Sequence, residues 1–210
     1  MRKILIGVVA LIILVGVVGF TSNVKAAKYK HSNYNGKVKI GKTAFKAVGD
    51  WDNCKIVKIK NGIKRVLLTN VRSKDYITNG RIIYCIGNRS TNQLGGYKLY
   101  KYNVKTGSLK CIMKVGKKYS IGILGKKGNR LYYARYKYEA TGAFYLFNLK
   151  NHKKKRIKKF LYPEPRFKIK GKRIVIYECA VEGGVTLHKY VYYLSGRKIG
   201  RFFYKYVPAY

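Results

Sequence analysis

The sequence predicts an all-β protein. Four repeats of about 44 residues, each a four-stranded antiparallel meander, follow an N-terminal apolar leader helix. Three observations carry this reading. Related segments recur at one spacing, turn dipeptides separate short alternating runs, and no useful 3.6-residue apolar stripe occurs after the leader.

The leader comes first. Arg2 and Lys3 precede an uncharged apolar run from Ile4 to Phe20, and Val24-Lys25-Ala26 sets small residues at −3 and −1 of a cleavage point. Residues 1–26 are therefore expected to be a secretory signal peptide. The 17-residue run is a little short of the roughly 20 residues of a spanning helix. Basic residues flank it on both sides, so a retained N-terminal anchor stays open as the alternative. Either way the body is expected to be secreted or held at the cell surface. Residues 27–36 read as a linker, and 37–210 as the repeat domain.

Within that domain one recurring piece is Asn79-Gly80-Arg81-Ile82-Ile83-Tyr84. It returns as Gly128-Asn129-Arg130-Leu131-Tyr132-Tyr133, as Gly171-Lys172-Arg173-Ile174-Val175-Ile176, and more weakly at Gly41 to Phe45. A second piece, Tyr97 to Asn103 before Lys105-Thr106-Gly107, is matched by Cys54 to Ile59, Ala143 to Asn148 and Leu187 to Tyr193. Gly62 to Gly107 is 45 residues and Gly107 to Gly196 is 89, close to twice that. Each unit reads as a first short strand (Asp75–Thr78, Ile121–Leu124, Phe167–Lys170), the Gly-x-Arg strand, the Tyr-rich strand and a last basic strand. Asn61-Gly62, Thr106-Gly107 and Ser195-Gly196 supply the turns into that last strand.

Four-stranded units of this length describe β-propeller blades. Over residues 37–204, the pattern Gly-x-Arg-Ile-Ile-Tyr followed by Leu-Tyr-x-Tyr-Asn-x-x-Thr-Gly resembles the blade repeats of exported bacterial β-propellers of the YWTD-like and TolB-like sort. Those families usually carry six or more blades, whereas four units fit here. The resemblance implies a small ring, an open twisted stack, or a ring completed with a second chain. It carries no function with it.

Few residues suit catalysis. Lys and Arg number 47 against 7 Asp and Glu, which leaves little for chemistry built on paired carboxylates. Ser195 and Lys198 have the spacing of a nucleophile pair but fall on a predicted hairpin turn, where no helix sets the lysine over the serine. Asp50-Trp51-Asp52-Asn53 reads as a turn before Cys54 rather than a calcium loop. His31, His152 and His188 lie far apart without a partner motif. Glu178 and Glu182 read as pairing with Lys or Arg. Cys54, Cys85, Cys111 and Cys179 lack zinc-ligand spacing; buried thiols and one disulfide bridge remain equal readings. No metal, no cofactor and no catalytic residue is assigned.

Charge is the distinguishing feature. The net charge is +40, and residues 27–210 keep +37 of it. From Tyr76 to Tyr138 there are 14 Lys or Arg and no acid. Lys150, Lys153, Lys154, Lys155, Arg156, Lys158 and Lys159 then crowd a predicted turn and strand. In a regular strand Lys153, Lys155 and Lys159 would form one row and Lys154, Arg156 and Lys158 the other. Such a density repels itself unless a polyanion offsets it. Tyr132, Tyr136 and Tyr138 alternate with basic residues and are candidates for stacking on sugar rings or bases, although a core role for alternate tyrosines competes.

The reading is an exported, non-catalytic repeat module that binds anionic polymer electrostatically. The polymer would be a wall phosphopolymer, acidic polysaccharide or extracellular DNA; an anionic membrane surface and a homo-oligomer completing the ring are further possible partners. Two alternatives stand beside it. One is an enzyme on a polyanion, of the acidic-polysaccharide lyase type, which one cleft combining His188, a Tyr and an Arg would favour. The other is a basic-aromatic nucleic-acid binder, which a continuous groove with exposed rings would favour.

Overall fold

The computed structural model describes residues 28–32, 35–50, 53–87, 97–116, 119–137, 141–161, 166–181 and 184–208. The leader at 1–26, Tyr138 and Glu182 lie outside the described residues.

Among the described residues there is no helix, and sixteen antiparallel strands follow one another. They are β1 (Lys30–His31), β2 (Lys37–Ile40), β3 (Thr43–Asp50), β4 (Asn53–Lys60), β5 (Ile63–Thr78), β6 (Ile82–Gly87), β7 (Lys98–Asn103) and β8 (Leu109–Lys114). Then come β9 (Tyr119–Lys127), β10 (Arg130–Lys137), β11 (Thr141–Asn148), β12 (Lys154–Leu161), β13 (Arg166–Lys170), β14 (Arg173–Val181), β15 (Gly184–Tyr193) and β16 (Lys198–Pro208). Three sheets form. The first holds eight strands in the order β2 to β8, with β1 paired to β5; the second runs β12-β11-β10-β9 and the third β13-β14-β15-β16.

Local chemistry explains the turns. Asn61 and Gly62 both take positive φ (51° and 78°), the geometry that lets a two-residue turn match strand twist. Asp50 pairs with Asn53 across two residues, so the acidic cluster before Cys54 joins β3 to β4. Ser195-Gly196 is likewise a turn, closed by Gly196 N–H on Tyr193 O, so Lys198 enters β16 rather than facing a nucleophile. Strand β5 departs from the four short runs expected per unit. It continues for 16 residues, pairing β4 through its first part and β6 through its second, with the register broken between Val71 and Tyr76.

The sheets stack face to face over three apolar cores. The first core joins the two parts of the eight-stranded sheet through Phe45, Cys54, Ile56, Tyr76, Ile83 and Cys85. The second joins that sheet to the second one through Ile77, Tyr84, Leu99, Ile123, Leu131 and Phe147. The third joins the second and third sheets through Tyr132, Phe144, Leu146, Phe160, Ile174 and Ile176. Strand β9, the edge of the second sheet, lies against both β5 in the middle of the first sheet and β13 at the edge of the third. Among the described residues no core joins the third sheet back to β2–β4. Cys54 and Cys85 are buried, and burial pushes the Cys85 thiol up to about 12; Cys111 is exposed.

The seven acids are scarce enough to follow individually. Among the described residues only Asp50, Asp75 and Glu178 remain, and two of them fasten sheets together. Asp75 on β5 pairs with His31 (2.7 Å) and accepts the Ile123 N–H from β9 (2.8 Å). His31 Nε2 also meets Ile123 O at 2.6 Å and Nδ1 meets Ser32 O at 2.9 Å. Both ring nitrogens thus face acceptors, which demands the doubly protonated ring. Burial alone would lower its pKa, but the Asp75 carboxylate and the two carbonyls override it and raise the value to about 9. Glu178 on β14 pairs with Lys158 on β12 at 2.8 Å.

Candidate functional site

Strand alternation on β10 sorts its residues between two faces. Tyr132, Ala134 and Tyr136 turn to the third core, while Tyr133, Arg135 and Lys137 turn to the opposite side. Tyr132 is fully buried, and its hydroxyl donates to Leu194 O at 2.9 Å. It is therefore core, not a stacking platform. Tyr136 is half-buried and meets Phe160 edge-on at 6.0 Å. The dense tyrosines of this segment hold sheets together.

Around the ends of β10 and β11 a cavity of about 660 Å³ takes its lining from both faces of the sheet. Arg135, Lys137, Arg156 and Lys159 bring four cations to its wall; Tyr119 and Tyr145 supply rings, the buried Phe160 closes one side, and among the described residues Glu178 is the one acid. Arg135 lies over Tyr119, its guanidinium carbon 3.4 Å from the ring centroid. Its Nε–H is buried and has no hydrogen-bond partner among the described residues. Tyr145 is backed by Tyr133, stacked at 5.3 Å with 14° between the planes. Gly142 lets the Phe160 ring lie against β11, because a Cβ there would come within 2.4 Å of that ring.

Strand β12 carries the basic run, and its register corrects the expected rows. A β-bulge between Phe144 and Tyr145 leaves Ile157 unpaired, so Arg156 sits opposite Tyr145 and Lys158 opposite Phe144. Lys154, Arg156 and Lys159 consequently share the cavity face, whereas Lys155 and Lys158 share the face of the third core. The expected row of Lys153, Lys155 and Lys159 does not form. Lys158 differs from its neighbours: its side chain is 17% exposed, tied to Glu178 and set 4.3 Å over the Tyr190 ring. It is an internal tie, not a free cation. Lys150, Lys153, Lys154, Lys155, Arg156 and Lys159 are exposed.

Behind Glu178, the third sheet gathers His188, Tyr190 and Arg201. Arg201 Nη2 donates to His188 Nε2 at 2.8 Å, and the Arg201 guanidinium carbon lies 5.7 Å from the Tyr190 centroid. The combination named for the lyase alternative is therefore present as a cluster. It lies beside the cavity rather than in its lining, and the two share Glu178. The imidazole lone pair is occupied by Arg201, and His188 Nδ1 is buried. Burial, then the bond and charge of Glu178, raise the Tyr190 phenol further.

Sequence reasoning reached Arg156 and Lys159 but missed Arg135, Lys137, Tyr119 and Tyr145. Arg135 and Lys137 lie inside the Tyr132–Tyr138 segment already singled out; the signal was the basic half of the alternation. Among the described residues no group of His, Cys, Asp and Glu is placed to hold a metal ion.

No protein-family model and no characterised protein matches the sequence. Solved structures do. A prolyl endopeptidase superposes with a TM-score of 0.53 at 9% identity, over 83% of this chain and 35% of that one. The acylaminoacyl peptidase of Pyrococcus horikoshii gives 0.53 at 11% identity, over 87% and 34%. TolB from Acinetobacter baumannii gives 0.30 at 12% identity, over 80% and 52%. These neighbours are propeller-domain proteins. The fold is β-propeller-like. The chain spans about a third of the length of the two peptidases, and the likeness concerns the fold alone.

Proposed function

We propose that the protein is an exported, non-catalytic β-propeller-like module that binds anionic surface or extracellular polymer. The single observation that carries the reading is convergence: Arg135, Lys137, Arg156 and Lys159 meet on one cavity, with a single acid among its described lining residues. Polar groups converging on a ring-lined concavity are what a ligand site needs, and unpaired cations select an anion. The exposed Lys150, Lys153, Lys154 and Lys155 extend the same positive surface along β12 and its turn.

The two parts of the eight-stranded sheet and the two four-stranded sheets are read as four blades in an open stack. Closing a ring with a second copy would bring Lys37, Lys39 and Lys46 of β2 and β3 toward Arg166, Lys168 and Lys170 of β13. These like charges oppose closure unless an anion lies between them. The leader reading, the secreted or surface location and an anionic membrane contact belong to the same proposal.

The test is capture of the chain on immobilised wall phosphopolymer, acidic polysaccharide, DNA and a neutral polysaccharide at two salt concentrations. Capture on the anionic supports that falls steeply with salt is expected. Salt-indifferent capture, or equal capture on the neutral support, would overturn the reading. The clustering of His188, Tyr190 and Arg201 favours a second reading, the lyase. Release of unsaturated uronate ends from acidic polysaccharide, followed by ultraviolet absorbance and lost in His188→Ala, would establish it.

A further inference from the structure

The cavity holds more information than its charge. The geometry points to an acidic sugar as its occupant: one pyranose bearing a carboxylate, taken from an acidic polysaccharide. This inference rests on the polyanion reading above and specifies the ligand of the same cavity.

Three features select this chemistry. The first is Arg135. Its guanidinium sits over the Tyr119 ring, and the unpartnered Nε–H belongs to the planar fork that matches a carboxylate with two parallel hydrogen bonds. A lysine-only wall would hold any point charge; a rigid stacked arginine favours a planar anion. The second feature is an aromatic ring. Tyr145, half-buried and held by its stack on Tyr133, offers an apolar face that a charge-only site does not require. A pyranose has such apolar faces, whereas a phosphate chain has none. The third is Glu178. A phosphopolymer's charged groups bring only acceptors and would face that carboxylate unfavourably. Sugar hydroxyls can donate to it, while Lys158 balances its charge from the other side. The volume of about 660 Å³ lies within the range of small-ligand sites.

Isothermal titration calorimetry of the full chain uses three probes: an oligoglucuronate, a neutral glucose oligomer of equal length, and inorganic tripolyphosphate. The oligoglucuronate should bind saturably at one site per chain, at least tenfold tighter than either other probe at equal salt. Arg135→Lys, which keeps the charge but loses the fork, should weaken oligoglucuronate about tenfold and tripolyphosphate by less than threefold. Glu178→Gln should weaken oligoglucuronate yet strengthen tripolyphosphate, an opposite movement that general loosening of the fold does not produce. Thermal melting checks that both variants remain folded; if Glu178→Gln unfolds, the Arg135→Lys comparison stands alone as the test. Equal binding of oligoglucuronate and tripolyphosphate, with both variants moving them in parallel, would overturn the acidic-sugar inference while leaving polyanion binding intact. Absence of binding by every anionic probe, together with failure of capture on polymer, would remove both.

Discussion

Two seams of this molecule are fastened by one acid each, and they are built differently. Where Asp75 joins β5 to β9, its carboxylate holds His31 and the Ile123 N–H. Where Glu178 joins β14 to β12, its carboxylate holds Lys158 across the seam and also forms part of a cavity wall. Asp75 therefore has only a structural task. Glu178 has a structural task and faces whatever enters the cavity. With so few acids against 47 Lys and Arg, each acid's placement says which part of the surplus charge is internal and which is offered outward.

The sharpest way to break this comparison is to delete each acid in turn. Asp75→Ala leaves the doubly protonated His31 among carbonyls and orphans the Ile123 N–H, at a cost of about 3 kcal/mol in urea unfolding. Polymer capture should be unchanged, because Asp75 does not line the cavity. Glu178→Ala should cost less, about 2 kcal/mol, because the flexible Lys158 stem can carry its ammonium into the neighbouring cavity. Unlike Asp75→Ala, it should alter anion binding. Equal stability losses with no binding change in either variant would erase the distinction between the seams.

A smaller effect concerns pH. His31 is held at about 9 in the folded protein, above its ordinary 6.5. The contribution of its proton is fully present below pH 6.5 and is lost as pH rises through 9. The side chain is 43% exposed, so solvent screening limits the effect to about 1 kcal/mol. Unfolding free energy should fall over this window in the parent and stay flatter in His31→Gln. A parallel fall in both would place the titrating group elsewhere.

The sequence made the strand order legible because its signals are local. The Gly-x-Arg pieces open β10 and β14, their weaker copy at Gly41 opens β3, Asn79-Gly80-Arg81 leads into β6, and the Asn61-Gly62 pair makes the turn its composition demands. What escaped was non-local. The run through β5 hides a boundary because nothing in Leu68 to Tyr76 breaks the strand, and only its change of partner reveals it. The bulge at Ile157 is set by how β12 meets β11, and it moves Lys159 from the Lys155 row to the Arg156 row. The His31–Asp75 tie spans 44 residues and required the stacking of sheets to form. The cavity was half legible: the basic run supplied Arg156 and Lys159, but Arg135 was passed over for the tyrosines beside it.

The register of β12 supplies the most direct measurement. Two triple reversals change the net charge equally. Lys154→Glu, Arg156→Glu and Lys159→Glu act on the cavity face; Lys150→Glu, Lys153→Glu and Lys155→Glu act on the turn and the other face. The logarithm of the association constant for acidic polysaccharide is followed against the logarithm of salt concentration. The cavity-face triple should reduce the slope by roughly 2 to 3, as expected for three lost ion contacts, and the other triple by clearly less. Equal reductions in the two would contradict a sited cavity and leave only the protein's overall charge.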